Sequence, residues 1–108
     1  MTNHSNRSSL PTILAACEAD RIAAGSRRDG CGVAHITPVL NILEALASTC
    51  RDLSTPRYLR IAGERDKART TRRFCVIHDM AARGELTSAA YDASLAAARA
   101  LTTTPVVS

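Results

Sequence analysis

Aromatic residues are almost missing from this chain. Its 108 residues include no tryptophan, one phenylalanine and two tyrosines. Aromatic side chains provide the largest buried areas in protein cores, and much of the apolar composition here is alanine, which buries little. The length is that of one domain, but a core made of these residues is thin. We therefore expect marginal stability for a single chain, or stabilisation by a partner or a second copy.

Alternation of apolar and polar residues with period two is also missing over any length that would build a sheet. The residues that favour strands gather only in the short tail Pro105-Val106-Val107. Alanine, leucine and arginine are common, and these residues favour helix. The sequence therefore predicts an all-α fold, a small bundle of four to five short helices over residues 9–101, with disordered tails at 1–8 and 102–108.

Long apolar runs are absent as well, since none approaches the roughly 20 residues that span a membrane. The four cysteines are spaced too widely for a small secreted domain held by disulfides. This pattern favours reduced cysteines in a cytoplasmic protein. One alternative stays open, because Leu14-Ala15-Ala16-Cys17 resembles the lipobox at which small bacterial lipoproteins are cleaved and acylated on the cysteine. The apolar run before Cys17 is short and contains Pro11, which is more typical of a helix start than of a signal segment.

Capping residues and glycines predict where the helices begin and end. A first helix is expected over residues 9–24, with Gly25 as its stop. The clearest helical pattern is in Thr37–Leu53, where Thr37 is the expected N-cap and Pro38 the first helical residue. Apolar side chains fall on one stripe of that helix: Val39, Ile42, Leu43, Leu46, Cys50 and Leu53. The preceding segment Ser26–Ile36 is expected to be the main loop.

The second half of the chain has less regular patterns. A third helix is expected to start at Thr55-Pro56, and Gly63 is predicted to break it, because glycine inside a helix costs about 1 kcal/mol relative to alanine. A further helix then runs from about Asp66 to Arg83. Thr87 is the expected N-cap of the last helix.

Positive charge is concentrated in one segment of the chain. The net charge is +4, yet residues 57–73 alone hold seven basic and two acidic residues, while the rest holds seven basic and eight acidic ones. The basic side chains of this segment are Arg57, Arg60, Arg65, Lys67, Arg69, Arg72 and Arg73. We expect these seven residues to form the contact surface of a small, non-enzymatic accessory or regulatory protein.

Three interpretations of this basic segment compete. The first is binding to DNA or RNA, because arginine suits contacts to phosphates and base edges. The second is binding to an acidic protein surface, as an inhibitor or adaptor would. The third is a solvated helix face without a partner. The sequence predicts nucleic acid as the first partner to test, and no cofactor.

Two cysteine–histidine pairs raise a metal hypothesis. Cys31 and His35 lie in the predicted loop, and Cys75 and His78 are one helical turn apart. Together they have the residue types of a Cys2His2 zinc site, although the spacing is not that of a zinc ribbon. The same residues could provide a catalytic Cys–His pair, but no Asp or Asn is placed to orient the histidine. Small core cysteines and surface histidines are the simpler expectation.

Overall fold

The computed structural model describes residues 9–103, and every regular element in this range is an α-helix. Four helices follow one another within these residues: α1 (Leu10–Gly25), α2 (Gly32–Ser48), α3 (Pro56–Ala82) and α4 (Ser88–Thr103). The predicted all-α bundle is confirmed. The predicted disordered tail 1–8 lies outside the described residues, as does 104–108. Helix α4 ends two residues beyond the predicted boundary at residue 101.

Helix α1 begins where the sequence predicts. Ser9 has extended backbone angles, and its hydroxyl accepts a hydrogen bond from the Thr12 amide at 3.3 Å. Pro11 lies in the first turn, where a missing N–H costs nothing because that amide has no partner inside the helix. The helix extends to Gly25, one residue past the prediction. Local capping chemistry is sufficient to define this helix.

Helix α2 begins five residues earlier than predicted, so the expected start at Thr37 is wrong. Its first residue is Gly32, and its N-cap position holds Cys31, which makes no capping hydrogen bond through its side chain. The cap comes instead from Asp79 on α3. The two carboxylate oxygens of Asp79 accept hydrogen bonds from the amides of Gly32 and Val33 at 3.0 and 2.9 Å. A negative charge at a helix N-terminus also interacts favourably with the helix dipole.

Pro38 lies inside α2 rather than at its start. The helix tolerates it because only one backbone hydrogen bond is lost and the buried face on either side remains packed. The side chains of Ile36 and Val39 are 0% and 3% exposed. Thr37 donates its hydroxyl hydrogen bond back to the carbonyl of Val33, as a residue inside a helix does.

The C-terminal part of the predicted second helix is a loop. Helix α2 ends at Ser48, and Leu53, which was expected on its buried stripe, is 57% exposed. Ile42 is also exposed, at 46%. The residues that face the core are Val39, Leu43 and Ala47. A seven-residue connection (49–55) therefore separates α2 from α3, instead of the very short one that was expected.

Helix α3 is one continuous helix of 27 residues, so the predicted break at Gly63 does not occur. The side chains that face α1 and α2 continue through the polar stretch as Ile61, Ala68 and Cys75, spaced seven residues apart and each at most 2% exposed. Ala68 is inconspicuous in the sequence because arginines and threonines surround it. The tertiary packing of this stripe outweighs the cost of roughly 1 kcal/mol for one exposed glycine.

The core lies between α3 and the first two helices. Contacts at both ends place α1 parallel to α3, and α2 antiparallel to both. The buried apolar residues of this core are Leu14, Cys17, Ala24, Ile36, Val39, Leu43, Ala47, Ile61, Ala68 and Cys75. Helix α4 lies outside this cluster and contacts α3. The molecule is flat, with extents of 54 × 40 × 17 Å.

A tight turn reverses the chain between α3 and α4. Gly84 has a φ of 73°, the left-handed conformation that ends many helices. The amide of Glu85 donates to the carbonyl of Met80 at 2.9 Å, which closes a Schellman-type turn. Thr87 then caps α4, as predicted, by accepting from the Ala90 amide at 3.1 Å. Helix α4 therefore runs antiparallel to the C-terminal half of α3.

Candidate partner-binding groove

The seven basic side chains of residues 57–73 do not form one face of α3. Three of them have acidic partners: Lys67 pairs with Glu64 at 3.4 Å, and Arg69 with Glu44 at 3.3 Å. Arg65 lies 3.6 Å from a carboxylate oxygen of Asp66 and packs 6.0 Å from the ring centre of Tyr58, with a side chain only 19% exposed. It is part of the packing more than of a free surface.

The other four basic side chains of the segment are Arg57, Arg60, Arg72 and Arg73. All four are exposed, and none has an acidic side chain within 4.0 Å among residues 9–103. An exposed arginine without an internal partner keeps its full capacity for bidentate contacts to carboxylates or phosphates. They divide into two groups, with Arg57 and Arg60 in the first turns of α3 and Arg72 and Arg73 near its middle.

Arg69, Arg72 and Arg73 lie at the edge of a groove between α3 and α4, which we call the arginine groove. Its volume is about 600 Å³, and it opens to solvent along one side. Helices α2, α3 and α4 all contribute to it. The residues that line it are Leu40, Arg69, Arg72, Arg73, Val76, Ile77, Ser94, Ala97, Ala98 and Leu101.

The floor of the arginine groove is aliphatic. Ile77 and Ala98 are 9% and 3% exposed, since they form the contact between α3 and α4. Leu101, at the open end, is 65% exposed and has the most exposed side chain among the large apolar residues of the described chain. The groove therefore combines an apolar strip, which water covers poorly, with three guanidinium groups along one rim.

No aromatic side chain lines the arginine groove. The rim is also free of strong internal neutralisation. Arg69 pairs with Glu44 and Asp66 at 3.3 and 3.9 Å, but these partners are about half exposed or more, and surface pairs of this kind contribute roughly 0–1 kcal/mol. A partner carboxylate can replace them at little cost.

The groove was only partly foreseen from the sequence. The charge pattern correctly marked the three arginines as exposed, but it gave no reason to group them with α4. Leu101 was expected to face the core. A sequence signal for the groove does exist, because Ala97, Ala98 and Leu101 are apolar at helical spacing while the larger apolar residues Tyr91 and Leu95 lie one to two turns earlier.

The structure does not bring the four zinc candidates together. Within residues 9–103, no group of three or more His, Cys, Asp or Glu side chains is arranged to hold a metal ion. Cys31 and His35 are exposed at the start of α2. His78 instead contacts α4, where its Nδ1 lies 3.0 Å from the Tyr91 hydroxyl.

Cys75 has the environment of a packing residue. It is 2% exposed, its Sγ donates a weak hydrogen bond to the carbonyl of Ala24 at 3.6 Å, and burial, followed by the charge of Asp79, raises the pKa of its thiol. A raised pKa keeps the thiol protonated and unreactive. His78, one turn away, has a pKa lowered mainly by burial and next by the charge of Arg28. The two side chains bond to different helices and do not form a nucleophile–base pair.

Cys17, the residue of the lipobox hypothesis, lies within α1 and is 4% exposed. Burial is the largest cause that raises the pKa of its thiol, followed by Asp20 and Glu64. In the folded chain this thiol is a core group. Acylation there would require the N-terminal half of α1 to be unfolded or removed.

Among the helices of the described range, none is both long and apolar enough to cross a membrane. Comparison of the chain with protein-family models, with curated proteins and with solved structures found no match. The geometry and chemistry of the described residues therefore carry the functional argument.

Proposed function

We propose that this chain is a small, non-enzymatic accessory or regulatory protein that binds an acidic surface of a partner protein through the arginine groove. The observation that carries the proposal is the union of three guanidinium groups with an apolar floor in one concavity. Protein interfaces combine an apolar centre with charged residues at the rim. The charges steer association and select the partner, while the apolar centre supplies affinity.

The apolar floor is the reason to favour a protein over nucleic acid. Phosphates would meet the arginines but would leave Val76, Leu101 and their neighbours covered by nothing apolar. Proteins that bind single strands provide aromatic rings on which bases stack, and the groove has none. A protein partner satisfies both halves of the groove at once.

Nucleic acid is the second candidate, and a separate observation supports it. The four basic side chains without acidic partners extend from Arg57 to Arg73, which is about 24 Å along α3 at 1.5 Å per residue. That length matches several phosphates of one strand. This candidate predicts that both groups of arginines contribute, whereas the groove proposal requires only the group near the middle of α3.

Two charge-reversal variants separate the candidates. One replaces the rim (Arg69→Glu, Arg72→Glu, Arg73→Glu), and its matched control replaces three exposed arginines outside the groove (Arg51→Glu, Arg57→Glu, Arg60→Glu). Both variants change the net charge equally. The tagged chain is used to capture partners from its native host, and binding to duplex DNA, single-stranded DNA and RNA is measured at low salt.

The proposal predicts a protein partner whose capture is lost with the rim variant and retained with the control. It also predicts no nucleic-acid binding that survives physiological salt. If both variants lose binding to DNA or RNA about equally, the second candidate replaces the first. If neither variant changes any binding, the arginines form a solvated face and the groove is not a binding site.

A further inference from the structure

We infer that the occupant of the arginine groove is an amphipathic α-helix of the partner protein, with acidic residues one helical turn apart that meet the arginine rim. This inference rests on the proposed function and adds the conformation and charge pattern of the bound segment. Three observations lead to it: the kind of walls that the groove has, its length, and the spacing of its arginines.

The walls of the groove require an occupant that satisfies its own backbone. Helices α3 and α4 form both walls, and their backbone groups are already paired within each helix. Within residues 9–103 there is no strand whose edge could pair with an extended peptide. An extended segment on the aliphatic floor would therefore bury unpaired N–H and C=O groups, at a cost of roughly 1–3 kcal/mol each. A helix buries none.

The dimensions of the groove suit a short helix. On α3 the lining residues extend from Arg69 to Ile77, which is about 12 Å at 1.5 Å per residue. On α4 they extend from Ser94 to Leu101, a similar length. A partner helix that lies along this strip contacts it over two to three turns. Small side chains at Ala97 and Ala98 allow that helix to approach α4 closely.

The rim specifies where the partner has its acidic residues. Arg72 and Arg73 are three and four residues after Arg69, so their guanidinium groups are about one helical turn apart along α3. Carboxylates at positions i and i+3 or i+4 of the bound helix match this spacing. Its apolar residues, at i, i+3, i+4 and i+7 of the neighbouring stripe, then lie on the floor.

An unbiased peptide selection tests the inference. A displayed library of random peptides of about 18 residues, roughly five helical turns, is selected on the full chain and counter-selected on the rim variant Arg69→Glu, Arg72→Glu, Arg73→Glu. Binding of the enriched peptides is then measured to two further variants. Ala97→Gln places a polar side chain on the floor, and Ala96→Gln places the same side chain on the exposed neighbouring position outside the groove.

The expected peptides contain paired acidic residues at i, i+3 or i+4 beside an apolar stripe, and circular dichroism shows that they become helical when bound. The rim variant weakens them by about tenfold or more, as loss of close charge pairs does. Ala97→Gln also weakens them, whereas Ala96→Gln does not. A proline in the middle of an enriched peptide abolishes binding.

Other outcomes overturn the inference. Enriched peptides that tolerate the proline, or that lack acidic residues, mean that the occupant is not an acidic helix. If such peptides still require the rim arginines, the proposed function stands and only the partner conformation is wrong. If no peptide depends on the rim, the proposed function fails as well. If the chain alone forms a dimer that the rim variant dissociates, the occupant is a second copy of the chain.

Discussion

The ends of α1 and α2 meet one side of α3 at a closed junction, whereas α4 meets the other side along an open groove. At the junction, Asp79 is 3% exposed and bonds to two amides of α2, and Gly32 packs directly on Cys75. At the groove, the described side-chain hydrogen bond between α3 and α4 joins Tyr91 and His78, and Leu101 stays exposed. The comparison indicates that stability resides on the first side of α3 and binding capacity on the second.

The largest effect is expected at Asp79. Replacement by alanine leaves the amides of Gly32 and Val33 without partners in a buried site, and it removes a charge from the N-terminus of α2. Asp79→Ala should lower the free energy of unfolding by about 3 kcal/mol, measured by chemical denaturation. Asp92→Ala, at an exposed position of α4, is the matched control and should change it by less than about 0.5 kcal/mol. Equal, small effects would remove the distinction between the junction and the groove side.

A smaller loss is expected at Gly32. A Cβ atom there would lie 3.1 Å from the Sγ and 3.2 Å from the Cβ of Cys75, so neighbouring atoms must shift. Gly32→Ala should destabilise the fold by about 2 kcal/mol through overpacking. Gly63→Ala is the control of opposite sign, because a Cβ atom on that exposed face of α3 would meet no atom of a neighbouring helix within 4 Å. It should stabilise by about 0.5–1 kcal/mol, and a loss at Gly63 would contradict the continuous α3.

The contact between α3 and α4 should be weaker than the junction. Tyr91→Phe removes the hydrogen bond to His78 and should cost about 1 kcal/mol. The loss should appear as faster hydrogen exchange of amides in α4, with amides of α1 and α2 unchanged. Uniformly faster exchange in all four helices would show instead that α4 unfolds together with the rest of the domain.

The smallest effect is a pH dependence on the groove side. Burial lowers the pKa of His78 below its usual value of 6.5, so the unfolded chain binds a proton more readily than the folded one. The contribution of neutral His78 to stability is complete above pH 6.5 and is lost as the pH falls through the lower folded value. Arg28 and Arg99 add to the lowering, and Asp79 opposes it. His78→Gln should reduce the slope of stability against pH between about 7 and 5, and an unchanged slope would assign it to other groups.

Sequence patterns predicted the elements whose determinants are local. Ser9 and Thr87 cap the helices that follow them, and both were recognisable because an N-cap acts within three residues. The start of α2 was predicted wrongly because its cap, Asp79, is 47 residues away in the sequence. A Thr-Pro pair has the same local signature whether it opens a helix or lies within one that a distant side chain caps.

The candidate site divides in the same way. The arginines were recognisable from composition, and Arg69, Arg72 and Arg73 are exposed as a binding surface requires. The groove itself depends on how α4 packs against α3 and on a contribution from Leu40 of α2. No pattern within one helix encodes that arrangement. The continuity of α3 was missed for a related reason, because Ala68 becomes a core residue only through the helices packed on it.

The most direct test of the account is an NMR titration of the methyl-labelled chain with the protein partner whose capture requires the rim arginines. The account predicts that shifts concentrate at the methyl groups of Leu40, Val76 and Leu101 and at the side-chain Nε–Hε groups of Arg69, Arg72 and Arg73. Methyl groups of Ile22 and Leu59, which are exposed elsewhere, should not move. Shifts at Ile22 or Leu59 with none in the groove would contradict the account, because the partner would then bind outside the arginine groove.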